Sequence, residues 1–71
     1  MSNRLSPREL EVLHLVASGK KNREIGATLF LSEVGVKSHL INIFKKLHAQ
    51  NRTDAVIKAH RRGYLDLMEC K

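Results

Sequence analysis

Val36, Leu40, Ile43 and Leu47 stand four, three and four residues apart. At roughly 100° per residue they fall within about 60° of one another on a helix. A stripe that narrow must be covered by other elements, and the chain has only 71 residues from which to supply them. A chain of this size buries roughly 60% of the surface its unfolded form exposes. The covering segments therefore have to be short and closely joined.

Three further segments meet that requirement. In "SPRELEVLHLVASG", Ser6 is placed to cap a helix, Pro7 suits the first helical position and Glu9 completes a capping box. Leu10, Leu13 and Ala17 recur at helical spacing, as do Val12 and Val16, and Gly19 is a stop signal. Lys20 and Lys21 form a connection, and Asn22 is placed to cap "REIGATLF", whose Ile25 and Leu29 should face inward. Gly26 lowers helix propensity there by about 1 kcal/mol against alanine. It marks either the close approach of another helix or a neutral glycine. Ser32 is placed to cap the striped helix and Asn51 the last one, which has Ala55, Val56 and Ala59 inside and ends at Gly63. Tyr64 and Leu65 should dock before a tail at 66–71 that frays. The one proline stands at a helix start, and neither strand alternation nor a hairpin signal occurs. The expected class is all-α, a four-helix bundle containing a helix-turn-helix, with helices at about 7–18, 23–30, 33–47 and 52–62. It forms a single domain over residues 1–71 with its core at about 5–65.

The charge is positive and uneven. Residues 1–35 carry five basic and four acidic side chains, and residues 36–71 carry eight and three, giving +1 and +5 of the net +6. Such a balance suits a polyanion. On the third helix, Val34, Lys37, Ser38, Ile41 and Lys45 lie opposite the buried stripe. Lysine can donate to guanine, serine can pair with several base edges, and an aliphatic group can pack on a thymine methyl. In a helix-turn-helix the second helix lies in the major groove while the first crosses the backbone. Base contacts come mainly from the early turns, which ranks Val34, Lys37, Ser38 and Ile41 above Lys45. The residues alone leave other readings open. The lysines suit a solvated face, and His39, flanking the stripe, suits a core-edge histidine as well as a phosphate contact. The whole also suits a helical module that binds an acidic partner.

The pieces "LSPRELEVLHLVASG", "NREIGATLFLSE", "VKSH", "NIFKKL" and "NRTDAV", in that order, resemble the LuxR-type (GerE-type) helix-turn-helix family of bacterial transcription regulators over about residues 5–65. A promoter-recognition domain of a sigma factor shares the motif but not this series. The resemblance implies a four-helix, sequence-specific double-stranded DNA-binding domain, commonly the C-terminal output module of a longer regulator. It implies a bacterial, cytoplasmic protein, nucleoid-associated when bound, that contacts RNA polymerase. It places base reading at Val34, Lys37, Ser38 and Ile41, and backbone contact at Asn22, Arg23, Ser32, Gly35, His39, Asn42, Lys45 and Lys46. It gives the last helix, with Thr53, Ile57, His60 and Arg61, to homodimerisation on DNA. Ile57 already looks out of place, roughly opposite Ala55 and Ala59. The chain departs from the family at Gly35, where threonine is usual, at Val34, commonly polar, and at His48–Ala49, frequently Gly-Val.

Little else in the sequence carries chemistry. The four histidines are scattered, the lone Cys70 has no activating neighbour, and no zinc-finger spacing or phosphate-binding glycine loop occurs. The expectation is no enzyme activity, no metal and no cofactor. No apolar run approaches the roughly 20 residues of a membrane span, and Met1 to Arg4 lead directly into a helix start, so neither a signal peptide nor membrane association is expected.

Overall fold

The computed structural model of the protein describes residues 4–65, which form α1 (Pro7–Ala17), α2 (Asn22–Leu29), α3 (Glu33–Leu47) and α4 (Arg52–Arg61), with no strand among them. The all-α class and the helix order are those expected, with ends shifted by at most one residue.

Local chemistry sets three of the four starts as expected. The Ser6 hydroxyl accepts from the Glu9 N–H at 3.2 Å and the Glu9 carboxylate accepts from the Ser6 N–H at 2.8 Å, closing the capping box. The Ser32 hydroxyl accepts from the Gly35 N–H at 3.0 Å, and the Asn51 side chain accepts from the Asp54 N–H at 2.8 Å. The fourth start differs. Asn22 is not the cap of α2 but its first residue; Lys21 precedes it, with its N–H donated to Glu24. Asn22 instead turns its side chain to Arg52 of α4.

A residue with positive φ follows each of the four helices within two positions: Gly19, Phe30, His48 and Gly63. Gly19 and Gly63 take this conformation without a steric cost. Phe30 and His48 stand in it at φ 60° and 57°, where a residue with a Cβ costs roughly 1–2 kcal/mol. At His48 the reason is visible. Its N–H reaches the Lys45 carbonyl and the Ala49 N–H reaches that of Phe44, so the last turn of α3 is closed by the bonds that glycine usually permits. The His48 carbonyl in turn accepts from the Lys58 ammonium, and the Lys46 carbonyl accepts from Arg62 at 3.1 Å.

The stripe of α3 is fully covered: Val36, Leu40, Ile43 and Leu47 are buried against Val12, Leu13 and Val16 of α1, Ile25 of α2 and Ala55 and Ala59 of α4. Leu10, Ala17, Leu29, Val56 and Tyr64 pack half-buried around them. Leu65 docks as expected, and Leu5 joins it from the other end of the chain. The expected tail at 66–71 lies outside the described residues.

Gly26 is buried for a reason nearer than a second helix. A Cβ added there would lie 2.4 Å from the carbonyl oxygen of Leu31, in the turn that follows α2. Val36 of α3 would be 3.6 Å away, an ordinary contact. The turn, not the facing helix, requires the glycine.

Among the described residues one charged side chain enters the core. Glu9 is 5% exposed and its carboxylate accepts from the Lys46 ammonium at 2.7 Å, joining α1 to the end of α3. Burial raises the Glu9 pKa, but the Lys46 ammonium and the Ser6 bonds outweigh it and hold the carboxyl below its ordinary range. On α4, the Gln50 N–H and then the Lys58 ammonium lower the Asp54 carboxyl in the same sense.

Candidate nucleic-acid interface

With the stripe of α3 turned inward, geometry decides what the opposite side shows. Val34, Lys37, Ser38 and Ile41 all lie exposed, within about 100° of arc by the helical period. Asn42 and Lys45 are exposed beside them, one and two turns further on. The four residues expected to read bases are therefore brought together on one surface. The Ser32 cap leaves the first turn of α3 with free N–H groups and a positive dipole end pointing outward.

Gly35 lies half-buried in that first turn. An added Cβ would meet the Ser32 hydroxyl at 3.4 Å and Leu31 at 3.7 Å, so space exists for a larger residue. The fold does not require glycine here. Its effect is to leave the backbone at the start of α3 uncovered by a side chain.

The remaining candidates divide. Arg23 and Ser32 are exposed and Asn22 is half-buried. A surface groove lined by Asn22, Lys37, Leu40, Ile41, Phe44 and Arg52 places the start of α2 next to the outer face of α3. His39 is half-buried at the edge of the core. Lys46 differs from its neighbour Lys45: its ammonium is committed to Glu9 inside the fold. Only Lys45 of that pair extends freely towards solvent.

On α4, Thr53, Ile57, His60 and Arg61 are exposed, with Ile57 at 45%. The His60 ring is held by the Leu65 carbonyl at 3.1 Å. The placement of Ile57 on the surface rather than in the core follows the angular arithmetic.

Two features escaped sequence reasoning. Phe30 is 94% exposed just past the end of α2; the expected helix ran through it, and nothing in the spacing signalled an apolar side chain turned to solvent. Arg52 donates to the Asn22 side chain and, at 2.7 Å, to the Lys20 carbonyl. That bridge joins residues far apart in sequence, and only the fold brings them together.

Among the described residues no group of three or more histidines, cysteines or carboxylates could hold a metal ion. None of the described helices is long and apolar enough to cross a membrane.

Known proteins share this arrangement. The family described as bacterial regulatory proteins, luxR family, matches residues 3–59. The transcriptional regulatory protein LiaR of Bacillus subtilis is 51% identical over 57 residues, which is 80% of this chain and 27% of LiaR. The quorum sensing-dependent transcriptional regulator RpaR of Rhodopseudomonas palustris is 49% identical over 65 residues, 92% of this chain and 27% of RpaR. The crystal structure of the response regulator ChrA from a heme-sensing two-component system superposes with a TM-score of 0.87 at 40% identity, covering 92% of this chain and 32% of that one. The chain thus spans about a quarter of the length of the curated relatives it matches.

Proposed function

This chain belongs to the luxR family of bacterial regulatory proteins, and we propose that it binds DNA sequence-specifically in transcription regulation by laying α3 in the major groove. The family is one of regulators rather than enzymes. The observation that carries the proposal is the outer face of α3, where Val34, Lys37, Ser38 and Ile41 are exposed together behind a fully buried stripe. Lys37 and Ser38 supply polar contacts to base edges. Arg23, Ser32, Asn42 and Lys45 flank them and meet phosphates. Lys46 is the weaker candidate for a phosphate, since its ammonium is already bonded to Glu9. We assign the chain the role of a regulator's output module, which positions the protein at promoters in the bacterial cytoplasm, where RNA polymerase is met.

Selection of bound sequences from random DNA tests the proposal and yields the operator. On that operator Lys37→Ala should cost about 1–3 kcal/mol of specific binding and relax preference at one base pair. Equal loss on specific and random DNA would instead make Lys37 a phosphate contact. In the same titrations Lys45→Ala should make the salt dependence shallower by about one unit per subunit.

The second half of the proposal concerns pairing. Ile57 stands exposed among Thr53, His60 and Arg61, and a two-fold axis beside α4 would bring it against its own symmetry mate. Ile57→Asp should preserve the helical circular dichroism and binding to one half-site while removing cooperativity on two. Unchanged cooperativity would take Ile57 out of the interface.

A further inference from the structure

Among the described residues, the large apolar side chains left exposed are Phe30, Val34, Ile41 and Ile57. Scattered surface apolars are ordinary, but Val34 and Ile41 are not scattered. They are 76% and 55% exposed, seven residues apart, and on the same side of α3 to within about 20°. Lys37 and Ser38 stand between them. The reading face is thus apolar at both ends and polar in the middle.

Resting on the reading that α3 lies in the major groove, we infer that Val34 and Ile41 select two thymines, one on each side of the base pairs read by Lys37 and Ser38. The thymine C5-methyl is the one apolar group that a base pair presents in that groove. Neither valine nor isoleucine can donate or accept, so a polar base edge held against either would lose its water without gaining a partner. Seven residues at a rise of 1.5 Å separate the two side chains by roughly 10 Å along the helix. Base pairs follow at about 3.4 Å along the duplex and further apart along the inclined groove. The two thymines therefore stand two to three steps apart, on either strand.

Deoxyuridine pairs as thymine does and lacks only the methyl, so it isolates this contact. On the operator obtained by selection, each thymine is replaced in turn by deoxyuridine, and binding is titrated with wild type, Val34→Ala and Ile41→Ala. Two positions, two to three steps apart, should weaken wild-type binding about threefold to fourfold, the effect of one buried methyl. Val34→Ala should reduce the penalty at one and Ile41→Ala at the other. Sequence preference that survives while no deoxyuridine position matters would overturn the thymine assignment and leave the groove reading standing, since Lys37→Ala reports on that separately. Methyl sensitivity that neither variant changes would overturn it equally. Loss of all sequence preference would overturn both.

Discussion

Gly26→Ala should lower the stability of the domain by about 2 kcal/mol, although alanine is the better helix former by about 1 kcal/mol. The added Cβ would sit 2.4 Å from the Leu31 carbonyl oxygen, inside any real contact distance. The obstacle is backbone and cannot rotate away. The Leu31 N–H is bonded to the Gly26 carbonyl at 2.8 Å, so the turn is anchored to the very residue that would push it. Relief requires the turn to open and carry the Ser32 cap with it. Overpacking of this kind costs typically 1–3 kcal/mol, occasionally more, and the helix gain offsets only part of it. For a domain of this size the melting temperature should fall by roughly 10 °C, read by circular dichroism. Gly35→Ala is the control, because its added Cβ would come no nearer than 3.4 Å to any neighbour, and it should gain up to about 1 kcal/mol. A Gly26→Ala protein that melts at or above wild type would show that the turn yields freely.

Lys46→Met should be comparably damaging, by about 2–3 kcal/mol, because it strands a buried charge. Glu9 is buried with its carboxylate on the Lys46 ammonium at 2.7 Å and on the Ser6 N–H. Truncating one partner of such a pair costs more than the pair contributes, since the remaining charge keeps its desolvation penalty. Glu9→Gln combined with Lys46→Met should therefore recover part of the loss. The pH dependence follows from the direction of the Glu9 shift. Burial raises its pKa, but the Lys46 and Ser6 interactions bring it below the ordinary 4.5. A carboxyl depressed in the folded state stabilises above its unfolded pKa, and this contribution drains away as pH falls through the folded value. Wild type should lose stability below about pH 4.5 more steeply than Lys46→Met, in which the main counterweight to burial is gone. Parallel melting curves for the two proteins from pH 7 to pH 3 would show that Lys46 gives Glu9 nothing.

These two cases mark where the sequence was legible. The α3 stripe, the Ser6, Ser32 and Asn51 caps and the outer face of α3 all follow from spacing within one helix, and the structure has each in place. Contacts between distant segments left no such trace. Glu9 reads as a capping-box residue, which it is, and nothing local says that it also holds Lys46. Asn22 reads as a cap because its side chain suits one, yet Arg52 engages it and Lys21 precedes the helix. Gly26 reads as either a packing glycine or a neutral one, while its constraint comes from a carbonyl five residues on. His48 and Phe30 stop helices in a conformation that glycine signals and they do not.

The Arg52 guanidinium ties the first residue of α4 to the Asn22 side chain and the Lys20 carbonyl at the entrance to α2. Its consequence falls on the phase of the DNA. If two domains pair through α4, this brace stops the start of α2, and with it the reading helix, from swinging relative to the pairing axis. The two reading helices then face the duplex at one fixed separation and angle. An extra base pair between half-sites moves the second by about 3.4 Å and turns it about 35° around the duplex. A braced pair has no hinge with which to follow that rotation, so an operator lengthened by one base pair should bind as two independent half-sites, and one lengthened by half a helical turn should offer the second domain the wrong side of the DNA.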